Sequence, residues 1–140
     1  MSGALVGLWR LESMEQRYDD GRVVYPFGQD AEGYIFYAAD GFMSVAFQKA
    51  GRGPFQTGGQ WTASDAEKAR AYDSVLTYCG RYTVEGDRVV HAIEMSLFPN
   101  WIGDRQVRQF TLDGDSLTIR ARIEPDTPQA RASLMIFRRA

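Results

Sequence analysis

The chain has 140 residues, 44% hydrophobic, 13% aromatic and 24% charged, with 16 Lys+Arg against 18 Asp+Glu and a formal charge of −2. That length suits a single domain, residues 1–140, whose core needs no metal or disulfide staple. The composition excludes a disordered or coiled-coil chain, and the slight acidity excludes a general binder of the phosphate backbone, so no nucleic-acid partner is expected.

Turn signals punctuate the chain at Asp19-Asp20-Gly21, Asp40-Gly41, Glu85-Gly86-Asp87 and Asp113-Gly114-Asp115, where Asp and Gly tolerate the left-handed backbone of tight hairpins. Between them the pattern predicts strands near residues 5–15, 22–26, 33–39 and 42–48. The Gly-rich loop over 50–59 follows, without the Gly-Lys-Ser/Thr of a phosphate-binding loop. Ser64-Asp65-Ala66-Glu67 has capping-box spacing, and Ala69, Tyr72, Val75 and Leu76 recur at helical spacing behind it, predicting a helix near 64–76. Strands near 78–85, 88–98, 105–112, 116–124 and 131–138 complete the chain. Their alternation is clean: Leu117, Ile119, Ala121 and Ile123 oppose Thr118, Arg120, Arg122 and Glu124. Short strands joined by hairpins close most economically into an all-β antiparallel barrel of about 8–10 strands, because closure removes exposed edges. An interior of this size is either filled by side chains or holds one small ligand.

Several chemistries are excluded outright. The single Cys79 and single His91 rule out an internal disulfide, a cysteine-rich zinc site and any site needing two imidazoles. No metal and no cofactor are expected, and there is no nucleophile elbow. No apolar run reaches the roughly 18 residues of a membrane span, and Met1–Gly7 lacks the basic start and apolar core of a signal peptide. A cytoplasmic protein with no membrane partner is expected.

Candidate chemistry gathers on the middle strands. His91 shares a face with Val89, Ile93, Met95 and Leu97, predicting an inward imidazole that is either an acid–base group or a buried histidine bonded to a tyrosine. Glu94 lies on the opposite face unless a β-bulge intervenes. Arg108 alternates with Phe110 and Leu112, so it points inward and needs a partner, either Glu94 or a ligand group. Tyr82 joins these three as a catalytic candidate. Tyr78 shares the inward face with Tyr82, and Tyr37, Phe36 and Met95 add apolar surface for a ligand. Asn100-Trp101, after Pro99 at a strand end, is either a ligand-touching loop at the barrel mouth or a structural turn.

Two features at the chain ends, Gly7-Leu8-Trp9 on the first strand and Arg138 on the last, resemble the calycin pattern in which a tryptophan packs against a final-strand arginine. Between them run Gly21-Arg22-Val23-Val24-Tyr25-Pro26-Phe27-Gly28, Gly33-Tyr34-Ile35-Phe36-Tyr37, Asp40-Gly41-Phe42-Met43-Ser44, Tyr78-Cys79-Gly80-Arg81-Tyr82, Val90-His91 and Leu97-Phe98-Pro99-Asn100-Trp101-Ile102-Gly103. As a series over nearly the whole chain they resemble the small bacterial and fungal lipocalin-like domain family. That family often carries two adjacent histidines where this chain has His91-Ala92. The resemblance implies the barrel fold, but a fold hosts many functions. Three readings follow: a barrel binding a small hydrophobic molecule in its lumen; a cofactor-free isomerase, cyclase or dehydratase; and a structural or homodimerisation module with a filled core.

Overall fold

The computed structural model describes residues 3–140. Its elements are β1 (Gly7–Tyr18), β2 (Val23–Val24), β3 (Glu32–Tyr37), β4 (Phe42–Gln48), α1 (Asp65–Asp73), β5 (Val75–Glu85), β6 (Arg88–Ser96), β7 (Arg105–Asp113), β8 (Ser116–Ile123) and β9 (Arg131–Arg139), with 3-10 turns at Gly3–Leu5 and Pro99–Trp101. Every strand pair is antiparallel, and the strands follow chain order from β3 to β9. β1 pairs with β3 on one side and with β9 on the other, which closes a barrel of eight strands, while β2 adds a short pairing to β1. The connections Gly86-Asp87 and Gly114-Asp115 place glycines at φ 64° and 59°. With aspartate second and not at positive φ, this is the sign pattern of a type II′ hairpin, whose twist matches that of the strands.

One end of the barrel is sealed. Trp9 is fully buried with Leu117 and Phe137, and its indole N–H donates to the Leu5 carbonyl at 2.9 Å. The guanidinium that covers the indole belongs to Arg139, 4.1 Å from the ring centroid, not to Arg138. Arg139 also donates to the Val6 and Ala4 carbonyls, each at 3.0 Å. Register decides between the two arginines: Trp9 sits opposite Arg139, so both face inward, whereas Arg138 points outward and pairs with Glu12 at 3.1 Å.

The helix departs from its predicted form. Ser64 caps it, accepting from the Glu67 N–H, but it ends at Asp73, and Val75 and Leu76 begin β5. Ala69 and Tyr72 are exposed, and the buried residue of α1 is Glu67. Its carboxylate accepts from the backbone N–H groups of Gln56 (2.7 Å) and Thr57 (3.1 Å) and from the Thr57 hydroxyl. That hydroxyl, chiefly, holds the carboxyl below the usual range. The helix thus serves to pin the Gly-rich loop, not to bury an apolar stripe. No helix among the described residues is long and apolar enough to cross a membrane.

Candidate functional site in the barrel lumen

Alternation along β5 turns Tyr78, Gly80 and Tyr82 inward and leaves Arg81 and Thr83 exposed. Facing them on β6, His91 lies opposite Tyr82 and Ile93 opposite Gly80. The β6 strand then bulges, because Met95 pairs with Cys79 and Glu94 is the extra residue. A bulge is what could have brought Glu94 to the lumen, but here it does the reverse. Glu94 stays exposed and Met95 is turned outward at 65% exposure, while Ser96 takes the place opposite Tyr78. Gly80 makes the bulge possible, since a Cβ there would lie 2.0 Å from the Ala92 carbonyl oxygen.

His91 is 1% exposed, and both its ring nitrogens are engaged. The Tyr37 hydroxyl lies 2.7 Å from Nε2 and the Tyr78 hydroxyl 2.9 Å from Nδ1. Burial, with the Arg108 guanidinium acting in the same direction, pushes the imidazole down to about 3, so it is neutral at physiological pH. Burial also pushes the Tyr78 phenol up to about 12 and the Tyr37 phenol well above its ordinary value. All three groups are therefore neutral, and the proton positions follow from hydrogen-bond satisfaction. A neutral imidazole carries one N–H and one bare nitrogen. Neither phenol has another hydrogen-bond partner among the described residues, so one donates to the bare nitrogen and the other accepts from the ring N–H. The accepting phenol keeps its hydroxyl hydrogen free, and Tyr78, 8% exposed against 0% for Tyr37, is the more accessible of the two. With one imidazole in the chain, nitrogen NMR reads this directly. The expected result is one protonated and one bare ring nitrogen, with no titration between about pH 5 and 8. A ring titrating near its ordinary value would mean that water reaches it and that this order is wrong.

The Tyr78 ring also meets Trp101 edge-on at 5.9 Å, and Trp101 meets Phe98 edge-on at 5.4 Å. Beside them a largely apolar cleft of about 300 Å³, lined by Phe27, Tyr72, Leu76, Leu97 and Phe98 with Asp73 at its edge, opens at the end of the barrel opposite Trp9. The inner wall is uneven. Ile35, Tyr37, Met43, Val45 and Phe47 on β3 and β4 are buried, whereas Arg108, Phe110, Ala121, Ile123, Ser133 and Met135 on β7, β8 and β9 are only half-buried. Inward side chains along that second wall keep part of their surface exposed.

The structure brings Tyr37, Tyr78, His91 and Arg108 to the lumen and Trp101, half-buried, to its mouth. It separates the rest. Tyr82 is inward, but its hydroxyl donates to the Ala38 carbonyl at 2.8 Å. Phe36 points outward, as its position between the buried Ile35 and Tyr37 requires. Asn100 is exposed in the turn Pro99–Trp101. Glu94 is not the partner of Arg108, whose guanidinium instead donates to the Gln106 side chain at 2.6 Å. Gln106 faces His91 across the ladder and is the lumen residue that sequence reasoning missed. Period two from Arg108 would have found it.

A family model described as "Lipocalin-like domain" matches residues 6–140. The chain is 39% identical over 66 residues to the 4'-hydroxy-3'-methoxypropiophenone carrier protein ppsC of Aspergillus oryzae, covering 41% of this chain and 60% of that one. The chain thus spans less than two thirds of the curated relative it matches. Over 99% of its length it is also similar to the crystal structure of a lipocalin-like protein from Bacteroides uniformis, covering 100% of that chain at a TM-score of 0.51 and 15% identity. A second solved structure, of a protein from Bacteroides eggerthii, covers 97% of this chain and 99% of its own at a TM-score of 0.48 and 14% identity.

Proposed function

The chain belongs to the lipocalin-like domain family, and from that premise we propose that it binds a small, mostly hydrophobic molecule in its lumen. The observation that carries the reading is the half-buried inner wall of β7 to β9 facing a fully hydrogen-bonded Tyr-His-Tyr set. Small-molecule sites are usually built this way, from apolar surface with a few placed polar groups. The Tyr78 hydroxyl, the more accessible of the two phenols, suits a carbonyl or hydroxyl oxygen, and Trp101, Leu76, Leu97 and Phe27 supply an apolar entrance. The relative named as a carrier of an aromatic ketone supports an aromatic ligand with such an oxygen.

Acid–base turnover has less behind it. His91 is a weak base with no ring nitrogen left for a substrate, and Glu94 and Tyr82 do not converge on it.

Native mass spectrometry of the freshly purified chain, followed by denaturation, tests the binding reading. The expected result is a discrete small molecule released on unfolding, or, from an apo protein, saturable binding of para-methoxypropiophenone. Tyr78→Phe should weaken that binding by roughly 3- to 10-fold, the worth of one neutral hydrogen bond. A protein that carries no small molecule and binds no probe overturns the reading.

A further inference from the structure

The lumen is electrically one-sided. Three arginines face inward by strand register, and no Asp or Glu on β1 or β3 to β9 does so. Two of the three are balanced. Arg131 pairs with Glu124 at 2.5 Å and donates to Gln16 at 2.7 Å, and Arg139 lies 3.6 Å from Asp115 while bonding two carbonyls. Arg108 is different. It is half-buried and forms no ion pair among the described residues, and the hydrogen bond it makes is to the neutral amide of Gln106. A guanidinium carries five N–H donors, so most of its donor capacity is uncommitted to protein. Gln106 sits opposite His91 in the β6–β7 ladder, which sets the Arg108 head beside the Tyr-His-Tyr set. Consistently, its positive charge acts on Tyr37, Tyr78 and His91. A half-buried guanidinium is only partly hydrated, and an anion entering the lumen gains charge-assisted hydrogen bonds from its uncommitted donors.

We propose that Arg108 anchors an oxyanion on the lumen ligand, either a carboxylate or an acidic phenol carried on a small aromatic body. The Tyr78 hydroxyl donates to the same group. This rests on the lumen-binding reading and specifies its ligand class.

Calorimetric titration of the full chain and of Arg108→Gln and Arg108→Lys with three probes tests it. The probes are para-propylbenzoate, para-hydroxypropiophenone and the non-ionising para-methoxypropiophenone. The wild-type chain is expected to prefer an acid over the ether. Arg108→Gln should lose about 10- to 100-fold on that acid and less than about 2-fold on the ether, with partial recovery in Arg108→Lys. If the phenol is the natural class, its wild-type affinity rises with pH through its own ionisation and does so far less in Arg108→Gln. If the benzoate alone shows the loss, the anchored group is a carboxylate. Ether and acids bound equally well, or losses equal across all three probes, overturn the Arg108 assignment and leave lumen binding standing. No binding of any probe by the wild-type chain overturns both.

Discussion

Gly80→Ala is expected to destabilise the protein by roughly 3 kcal/mol or more, among the largest effects of any single methyl addition to this fold. The added Cβ would stand 2.0 Å from the Ala92 carbonyl oxygen and 3.0 Å from the Glu94 nitrogen. Both are backbone atoms of β6, so no rotamer change relieves the contact. The strands would have to part where Gly80 faces Ile93 and Tyr82 faces His91. That separation pulls His91 away from Tyr78, so stability and the lumen hydrogen bonds should fail together. Gly86→Ala is the control. Its φ of 64° makes alanine strained, but nothing lies within 4 Å of the new Cβ, and a cost of about 1–2 kcal/mol is expected. Chemical denaturation of the two variants against wild type measures the difference. A Gly80→Ala protein within about 1 kcal/mol of wild type would mean that the bulge relaxes without its glycine.

The second large effect is a loss of stability in mild acid. In the unfolded chain His91 takes up its proton near 6.5, whereas in the folded protein it does so only at about 3. Between those values the unfolded state binds more protons, so folding stability falls as pH falls and is fully regained above the upper value. At about 1.4 kcal/mol per unit, roughly 2 kcal/mol should disappear between pH 6.5 and 4.5. The carboxyls of Asp19, Asp20 and Glu67 titrate below their usual range, so their contribution begins to fall near 4.5 and is mostly lost below that window. His91→Phe separates the terms. It should be less stable at neutral pH by about 2–4 kcal/mol, because the Tyr37 and Tyr78 hydroxyls lose their partner, yet nearly flat across that window. A wild-type midpoint that does not move between pH 6.5 and 4.5 would show that the imidazole accepts a proton in place.

Where alternation is regular, the sequence is enough. It places His91, Tyr78 and Arg108 inward, and Asp-Gly and Gly-Asp pairs mark the hairpins. Phe36 and Tyr37 could not both face the lumen, and period two alone would have removed Phe36. Met95 is a different kind of error. One unpaired residue at Glu94 reverses the faces beyond it, and the local cue, Gly80, lies on the neighbouring strand. The helix misled because Val75 and Leu76 continue a helical period by coincidence while belonging to β5. Glu67 looks like a capping-box residue and is one, but its burial depends on Gln56 and Thr57, a tertiary fact. The exchange of Arg138 for Arg139 turned on one register position against Trp9. The Tyr37–His91–Tyr78 set joins three strands, so no local pattern announces it.

The seam between β1 and β9 bears on how the protein reaches this state. Segments 7–18 and 131–139 must find each other across nearly the whole chain. From β3 to β9 each strand pairs with its chain neighbour, the longest connection being residues 49–74 between β4 and β5, while the last pairing pays the entropy of a much longer loop. Until it forms, the molecule is an open sheet with a raw strand on each side, the species most prone to pair with a neighbouring chain. Refolding yield should therefore fall steeply with protein concentration even where the native state is stable.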